Sequence, residues 1–384
     1  MGKIYTALGL MSGTSMDGVD ASIIRSDGID QFFNSFDEYS KFDADLYVKL
    51  VSLRNRVSTK DDLIKFSDEL KILERELTIF HIKIINKISE RYRKNKGENI
   101  DLIGFHGQTI FHDPKNKITK QLGDGKLLSQ LTKKPVVYDF RKNDLKNGGQ
   151  GAPLTPVFHN LLANNIFKEY KNFSNILNIG GISNITLTVK NSDYLKRNLE
   201  AYDIGPGNCL IDEWIRKNSD KNFDEDGLIG RSGKVNQLIL NQAIENFQFD
   251  SYNKSLDIKD FDINFARGLS LEDGCATITN FTAYLISEGI KFCDKKNKKV
   301  SKKYLICGGG RLNHFLIETI NSYLNNFEDI TLNPIELYNL EGDFIESQAF
   351  GYLAIRSYLN MPITFPTTTR CIEPTSGGVI VKNF

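Results

Sequence analysis

An excess of charge of one sign is missing from this 384-residue sequence, which carries 49 Lys and Arg against 48 Asp and Glu. A net charge of +1 provides no basic surface of the kind that holds nucleic acid or an anionic membrane. The lysine-rich stretch at 295–303 is interpreted as a solvated loop rather than a nucleic-acid patch. The sequence therefore predicts neither a nucleic-acid partner nor a membrane partner.

Paired cysteines and long apolar runs are missing as well. No Cys-x-x-Cys pair is present that could begin a zinc site or a redox couple. The start MGKIYTALGLMSG lacks the pattern of a leader, and no run of about 18 apolar residues could span a membrane. We expect a cytoplasmic protein with reduced, buried thiols at Cys209, Cys275, Cys293, Cys307 and Cys371.

Two regions of the sequence share the order strand, glycine turn, strand. Ile4–Met11 is apolar and leads through a turn into the alternating segment Val19–Ile24. Asn175–Ile179 leads in the same way through Gly180–Asn184 into Ile185–Val189. This weak internal repeat indicates a duplicated lobe. A chain of this length exceeds the usual size of a single core, so we expect two lobes with a cleft between them.

Hydrophobic periodicity predicts the remaining elements. Apolar residues spaced by three and four indicate a helical region over 44–93. Short strands at 101–105 and 136–138 are expected to present the sequences HGQT and DFR at their carboxyl ends. The other expected elements are strands at 31–38, 202–204 and 304–306 and helices at 210–216, 270–292, 311–324 and 344–359.

The glycine-rich segment 147–153 is a plausible lobe junction. We therefore predict an N-terminal lobe over residues 1–153, rejoined by the tail from about 360 to 384. The C-terminal lobe is predicted over residues 154–359.

Three glycine turns follow predicted strands. Gly13–Gly18 combines backbone N–H groups and hydroxyls that can bind phosphate with Asp17, a carboxylate that can hold hydrated Mg²⁺. It is not a Walker loop, because no Gly-Lys-Ser/Thr follows. Gly180–Asn184 and Gly308–Gly310 are the second and third turns. Each alone fits an ordinary tight turn equally well, so their joint occurrence at strand ends carries the interpretation as a nucleotide site.

Six blocks of sequence resemble the anhydro-N-acetylmuramic acid kinase family and stand in the family's order. They are MSGTSMDGVD at 11–20, GFHGQT at 104–109, DFR with GGQGAPL at 139–154, NIGGISN at 178–184, DIGPGN at 203–208 and CGGG with Asn313 at 307–313. The resemblance implies a two-lobe α/β fold of the actin, hexokinase and Hsp70 type, with duplicated ribonuclease H-like domains and a central cleft.

The resemblance also implies a reaction. The family opens the anhydro bridge of 1,6-anhydro-N-acetylmuramic acid with water and phosphorylates O6 from ATP, in cell-wall recycling. It implies ATP and Mg²⁺ as cofactors, an anhydro-amino-sugar as the small-molecule partner, and a homodimer.

By position in these blocks, Asp203 resembles the family's catalytic base, although an isolated Asp-x-Gly is usually a turn or helix cap. Asp17 is the candidate Mg²⁺ ligand. The implied ATP-binding residues are Gly13, Thr14, Ser15, Met16, Asp17, Gly18, Val19, Asp20, Gly180, Gly181, Ser183, Asn184, Gly308, Gly309 and Gly310. The implied sugar-binding residues are His106, Gln108, Asp124, Arg141, Gln150 and Glu346.

Two alternatives remain open on the sequence. One is another sugar kinase of the same superfamily, which would transfer phosphate to a free hydroxyl without hydrolysis. The other is a non-catalytic sugar-sensing ATPase, since a fold does not dictate its function. The segment Glu-Ser-Gln-Ala-Phe around Glu346 departs from the family pattern Glu-Ala-x-Ala-Phe.

Overall fold

A computed structural model describes residues 2–169, 174–189, 199–247, 251–296, 302–327 and 329–384. Contacts divide the chain into two compact units. Unit 1 comprises Met1–Asn165, Val189–Leu199 and Phe344–Phe384, and unit 2 comprises Ile166–Thr188 and Glu200–Asp343. These limits differ from the predicted lobe boundaries at 153 and 359, which stay a prediction.

Strands and helices alternate in the first part of the chain. In order they are β1 (Tyr5–Ser12), β2 (Gly18–Ser26), β3 (Phe32–Lys41), α1 (Ala44–Arg56), α2 (Lys60–Lys65), α3 (Ser67–Lys96), β4 (Leu102–Asp113), β5 (Ile118–Leu122), α4 (Gly125–Thr132), β6 (Val136–Tyr138), α5 (Lys142–Lys146) and α6 (Pro156–Glu169).

The second part repeats the pattern. Its elements are β7 (Asn175–Ile179), β8 (Ile182–Leu187), β9 (Glu200–Pro206), α7 (Cys209–Asn218), α8 (Leu228–Ser232), α9 (Gln237–Asn246), α10 (Leu271–Lys296), β10 (Lys303–Cys307), α11 (His314–Leu324), β11 (Thr331–Pro334), α12 (Ile345–Tyr358) and β12 (Val379–Val381). Short 3₁₀ turns cover Glu225–Gly227, Ile258–Asp260, Asn264–Ala266, Gly309–Leu312 and Ile335–Tyr338.

Five strands have the same order in the two sheets, and the sheet of unit 1 adds β5 and β12. In unit 1 the order is β12-β6-β4-β1-β2-β3, with β5 paired to β4. In unit 2 the order is β11-β10-β7-β8-β9. In each, an antiparallel hairpin is extended by a third antiparallel strand on one side and two parallel strands on the other. The predicted duplication and the two-lobe α/β fold are therefore confirmed.

Glycines let helices approach these sheets closely. A Cβ on Gly9 of β1 would overlap the backbone oxygen of Ser347, and one on Gly104 of β4 would overlap that of Phe350. Both oxygens belong to α12, which is buried along nearly its whole length. A Cβ on Gly289 of α10 would overlap the side chain of Ile204 of β9. Glycine is needed at these positions because a side chain there would push the helix away from the sheet.

The predicted helical region 44–93 is confirmed and consists of three helices, and its stripe at Leu70, Leu73, Leu77, Ile84 and Ile88 is buried as expected. Three other expectations about local structure are wrong in detail. HGQT lies inside β4 rather than after it, because β5 pairs with the second half of that strand. β8 begins at Ile182, so Ser183 and Asn184 belong to a strand and the turn is only Gly180–Gly181. Gly309 and Gly310 begin a 3₁₀ turn that precedes α11.

Part of the lysine-rich segment 295–303 lies outside the described residues, which resume at 302 after α10 ends at Lys296.

Candidate active site

The turn after β1 is anchored by Met16. Its backbone N–H donates to the carbonyl oxygen of Gly13 at 3.3 Å, and its φ of 57° is left-handed. The Met16 side chain is 1% exposed and, like that of Val19, belongs to the core of unit 1. Gly18 packs against the ring of Tyr39. Met16, Gly18 and Val19 can therefore offer a ligand only their backbone.

The polar side chains of the same turn face outward. Thr14, Ser15 and Asp17 are exposed, and Ser15 Oγ donates to Asp17 Oδ1 at 2.6 Å. Partial burial and the nearby charges of Asp17 and Asp20 raise the pKa of Tyr39 above its ordinary value. Two carboxylates thus lie near one hydroxyl group. Mg²⁺ usually keeps several waters and takes one or two carboxylates plus phosphate oxygens, so this donor set fits it.

Gln108 lies beneath this turn. Its Nε2 donates to the carbonyl oxygen of Gly13 at 3.0 Å, and Gln108 pairs in register with Ser12 across β1 and β4. Both side chains are 1% exposed. Within the described part of the chain, neither Ser12 Oγ nor Gln108 Oε1 has a hydrogen-bond partner. Since buried polar atoms are normally paired, water or a ligand is required to satisfy them.

Arg141 and His106 form one contact. Arg141 Nη2 lies 3.0 Å from His106 Nε2, and Arg141 Nη1 donates to the carbonyl oxygen of Gly151 at 2.9 Å. A guanidinium only donates, so His106 Nε2 accepts, and its Nδ1 donates to the oxygen of Gly107 at 2.8 Å. Burial, with the charge of Arg141, lowers the pKa of His106 to about 3. His106 is therefore a neutral imidazole of fixed tautomer.

Asp144, which the sequence reasoning missed, organises the segment that carries Gln150. Its carboxylate is 1% exposed and accepts from the N–H of Gly151 at 2.7 Å and from Oγ1 of Thr369 at 2.6 Å. A Cβ on Gly149 would overlap that carboxylate, which explains the glycine. The backbone N–H of Gln150 donates to the oxygen of Thr369 at 2.8 Å. An acid three residues before the glycine-rich segment 147–153 was the available signal.

Two other predicted sugar residues lie in helical first turns or caps. Asp124 is the N-cap of α4, where its Oδ1 accepts from the N–H groups of Lys126 and Leu127 at 3.0 Å each. Glu346 is half-buried in the first turn of α12.

In unit 2, three polar residues form a row across neighbouring strands. Asn178 pairs with Asn184, and Asn184 pairs with Asp203 through a bulge that skips Ile204. Residues directly opposite in an antiparallel pair share a face of the sheet. Asp203 is 6% exposed, and its Oδ2 accepts from Ser255 Oγ at 3.1 Å and from the N–H of Leu256 at 2.9 Å. Ser255 and Leu256 were not found from the sequence.

The fourth and fifth sequence blocks pack on each other. Gly207 N–H donates to the oxygen of Gly181, and Asn208 N–H to the oxygen of Gly180, each at 2.9 Å. A Cβ on Gly207 would overlap the oxygen of Gly180. Ser183 is fully buried, and its Oγ donates to the oxygen of Pro206 at 3.1 Å. Ser183 is therefore a structural tie between the turns.

The third turn is held by packing and by Arg311. Gly308 has φ 80°, and a Cβ there would overlap Asn178 Oδ1; one on Gly310 would overlap Ile179 Cγ2. Arg311 donates from Nη1 to the oxygen of Gly308 at 3.0 Å and pairs with Asp343 at 2.6 Å. Its pairing with Glu336 is equally short, at 2.6 Å.

Gly13, Gly180 and Gly309 differ from these glycines. Their φ values are ordinary, and the atoms nearest to an added Cβ are 3.8, 3.6 and 3.8 Å away. Neither backbone strain nor crowding in the protein requires glycine at these three positions. Each turn thus leaves open space above its backbone, as close approach by a ligand demands.

Within the described ranges, no helix is long and apolar enough to cross a membrane. Across the same residues, no three or more His, Cys, Asp or Glu side chains cluster as a protein-only metal site. Each cluster described above consists of residues of one unit.

Comparison with known proteins gives a match over nearly the full chain. A sequence profile of the family described as anhydro-N-acetylmuramic acid kinase matches residues 5–383. The chain is 51% identical to the anhydro-N-acetylmuramic acid kinase of Pelagibacter ubique over 389 residues, covering 100% of both chains. It is 36% identical to the protein of that name from Agrobacterium fabrum over 386 residues, again covering 100% of both.

Among solved structures, glucokinase from Balamuthia mandrillaris with glucose is similar at a TM-score of 0.36 and 14% identity, over 92% of this chain and 94% of that one. At this score the likeness adds nothing to what the repeated strand order already shows.

Proposed function

The chain belongs to the anhydro-N-acetylmuramic acid kinase family, and from this membership we propose how its residues carry out the family's reaction. The protein is an ATP-dependent phosphotransferase that acts on 1,6-anhydro-N-acetylmuramic acid in peptidoglycan recycling. It opens the anhydro ring with water and phosphorylates O6, giving N-acetylmuramic acid 6-phosphate.

The assignment of the catalytic base rests on the position and the hydrogen bonds of the Asp203 carboxylate. It is buried, it stands in a row with Asn178 and Asn184, and two donors fix one of its oxygens. Donors of this kind stabilise an ionised carboxylate, which is the form that a general base needs. We assign Asp203 as the base.

Asp203 takes a proton from water, and the water oxygen bonds to C1 of the sugar. The C1–O6 bond breaks, and O6 bonds to the γ-phosphorus as the bond to the leaving ADP oxygen breaks. The proton then passes from Asp203 to solvent.

The three open turns at Gly13, Gly180 and Gly309 are proposed to bind ATP through their backbone. Their open space supports this, since phosphates and a nucleotide base need close backbone approach. Asp17 and Asp20 are proposed to hold Mg²⁺ through its waters. Bound Mg²⁺ would neutralise charge on the phosphate oxygens.

Arg141 is proposed to bind the lactyl carboxylate of the muramic acid sugar, because a guanidinium is matched to a carboxylate. Neutral His106 fixes the orientation of that guanidinium. Gln150 lies in the segment that Asp144 holds and is proposed to line the same pocket with Glu346.

A cytoplasmic location and a homodimeric state complete the proposal. They rest on the family and on the composition of the chain. Light scattering on the purified protein measures the second directly.

The test is the mass of the product formed in ¹⁸O-labelled water. Hydrolytic phosphorylation predicts a product heavier than the anhydro-sugar by one phosphoryl group and one labelled water. A product that gains phosphate without water would mean a plain sugar kinase, and no sugar-dependent ADP release would mean a non-catalytic ATPase.

A further inference from the structure

Two consecutive residues outside the six sequence blocks contact the proposed base. Ser255 Oγ and the backbone N–H of Leu256 both donate to the same oxygen, Oδ2 of Asp203, at 3.1 and 2.9 Å. They are more than fifty residues from Asp203 in the chain, so a loop has to be brought back to β9 to make this contact.

That loop is fastened at both ends by aromatic rings. Tyr252 stacks on Phe292 of α10 with centroids 4.3 Å apart and planes at 25°. Phe261 stacks on Phe247 at 5.6 Å and 17°. Leu256 itself packs against the core of unit 2. The loop is thus held where its donors meet Asp203.

Hydrogen bonds inside the loop shape it further. Asn253 N–H donates to Ser251 Oγ at 3.1 Å, and Asp257 N–H donates to Asp260 Oδ2 at 2.7 Å in a reciprocal cap. Ser255 and Leu256 lie between these two internally bonded pieces. The Ser255 hydroxyl and the Leu256 N–H both point at Asp203.

We propose that Ser255, together with the N–H of Leu256, is a positioning residue that sets the rotation and the proton affinity of the Asp203 carboxylate. The inference rests on the proposed role of Asp203 as base. Two donors on Oδ2 restrict rotation about the Cβ–Cγ bond and so hold the plane of the carboxylate. They also favour the charged carboxylate, so the base stays ionised to lower pH.

The experiment compares Ser255→Ala with Ser251→Ala in the full-length enzyme. Both variants lose one hydroxyl in the same loop, but Ser251 has its bond within the loop. Removing a hydrogen bond to a charged group is expected to lower kcat about tenfold, with KM for ATP unchanged. The acid limb of the kcat profile should move up by about one pH unit in Ser255→Ala and stay in place in Ser251→Ala.

Further variants separate the possible outcomes. Ser255→Thr keeps the hydroxyl donor, so the acid limb of its kcat profile should lie where that of the parent enzyme lies. Ser255→Cys has a weaker donor and should shift the acid limb in the same direction as Ser255→Ala. It replaces Ser255→Ala in the test if that variant does not fold. An unchanged acid limb in Ser255→Ala and Ser255→Cys, or a raised kcat, overturns the positioning role. Asp203→Asn is measured beside them. If it is inactive while the limb does not move, only this inference fails; if it remains active, the base assignment fails and this inference with it.

Discussion

Nε2 of Gln108 lies 3.0 Å from the carbonyl oxygen of Gly13. A residue predicted for the sugar pocket therefore holds the turn predicted for the ATP phosphates. The bond fixes the plane of the Gly13 peptide, and with it the direction of the next N–H group. In unit 1 the strand pairing of Ser12 with Gln108 brings the first two sequence blocks together.

Gln108→Met should therefore act on ATP rather than on the sugar. The variant keeps most of the volume but removes the donor to Gly13, so we expect KM for ATP to rise about tenfold, the effect of one lost hydrogen bond. Steady-state kinetics with each substrate varied in turn measure this. Gln121→Met on the neighbouring strand β5, where Nε2 donates to Thr119 Oγ1 at 2.7 Å, is the matched control. A rise confined to the KM of the sugar would return Gln108 to the sugar pocket.

The open glycines should tolerate alanine in the fold but not in function. Gly13→Ala, Gly180→Ala and Gly309→Ala meet no clash and no unusual φ. We expect the free energy of unfolding to be unchanged or to rise by up to about 1 kcal/mol, because alanine restricts the unfolded chain. KM for ATP should rise at least about tenfold, since the methyl group would fill the space proposed for the nucleotide.

Gly308→Ala is the contrasting variant. Its φ of 80° and its overlap with Asn178 Oδ1 mean that alanine strains the fold itself. It should lower the free energy of unfolding by about 1 kcal/mol or more. Thermal denaturation beside nucleotide titration distinguishes the two classes. Equal losses of stability in all four variants would contradict the distinction.

The sequence was sufficient for elements that local patterns specify. Alternation and a glycine turn predicted both hairpins, and the spacing of Leu70, Leu73 and Leu77 predicted a buried helical face. It was insufficient where a distant partner decides. β4 continues through HGQT because β5 pairs with it, and Ser255 reaches Asp203 because two aromatic stacks hold its loop. The residues around β4 and around Ser255 do not show, in their own sequence, which distant segment they contact.

Asp203→Asn should abolish turnover while leaving the fold and nucleotide binding in place. Asparagine can still accept from Ser255 and Leu256 but cannot take a proton, and general-base catalysis contributes about 10²–10⁴ in rate. A coupled ADP assay measures kcat, and calorimetric titration with ATP measures binding. Asp260→Asn, in the nearby loop, is the control for carboxylate loss. Turnover within tenfold of the parent protein would remove Asp203 from the chemistry.

Buried histidines should make the fold sensitive to acid. Burial lowers the pKa of His81 from its ordinary value of 6.5 to about 4. The hydrogen bond from Nδ1 to the carbonyl oxygen of Leu77 acts in the opposite direction and is the smaller effect. His81 is therefore protonated below pH 6.5 in the unfolded state but only below about pH 4 in the folded state. Stability is complete above pH 6.5 and falls as the pH drops through this window.

His81→Leu isolates one such group, away from the proposed site. A proton that only the unfolded state binds lowers the free energy of unfolding by about 1.4 kcal/mol per pH unit. Between pH 7 and pH 5 the parent protein should therefore lose about 2 kcal/mol more of this free energy than the variant. Urea denaturation at the two pH values measures the difference. Exposed His314, replaced in the same way, is the matched control for the loss of a histidine. If the variant and the parent lose equal stability, His81 is protonated in the folded state, and its position beside the ring of Phe105 at 4.9 Å would have to accommodate a charge.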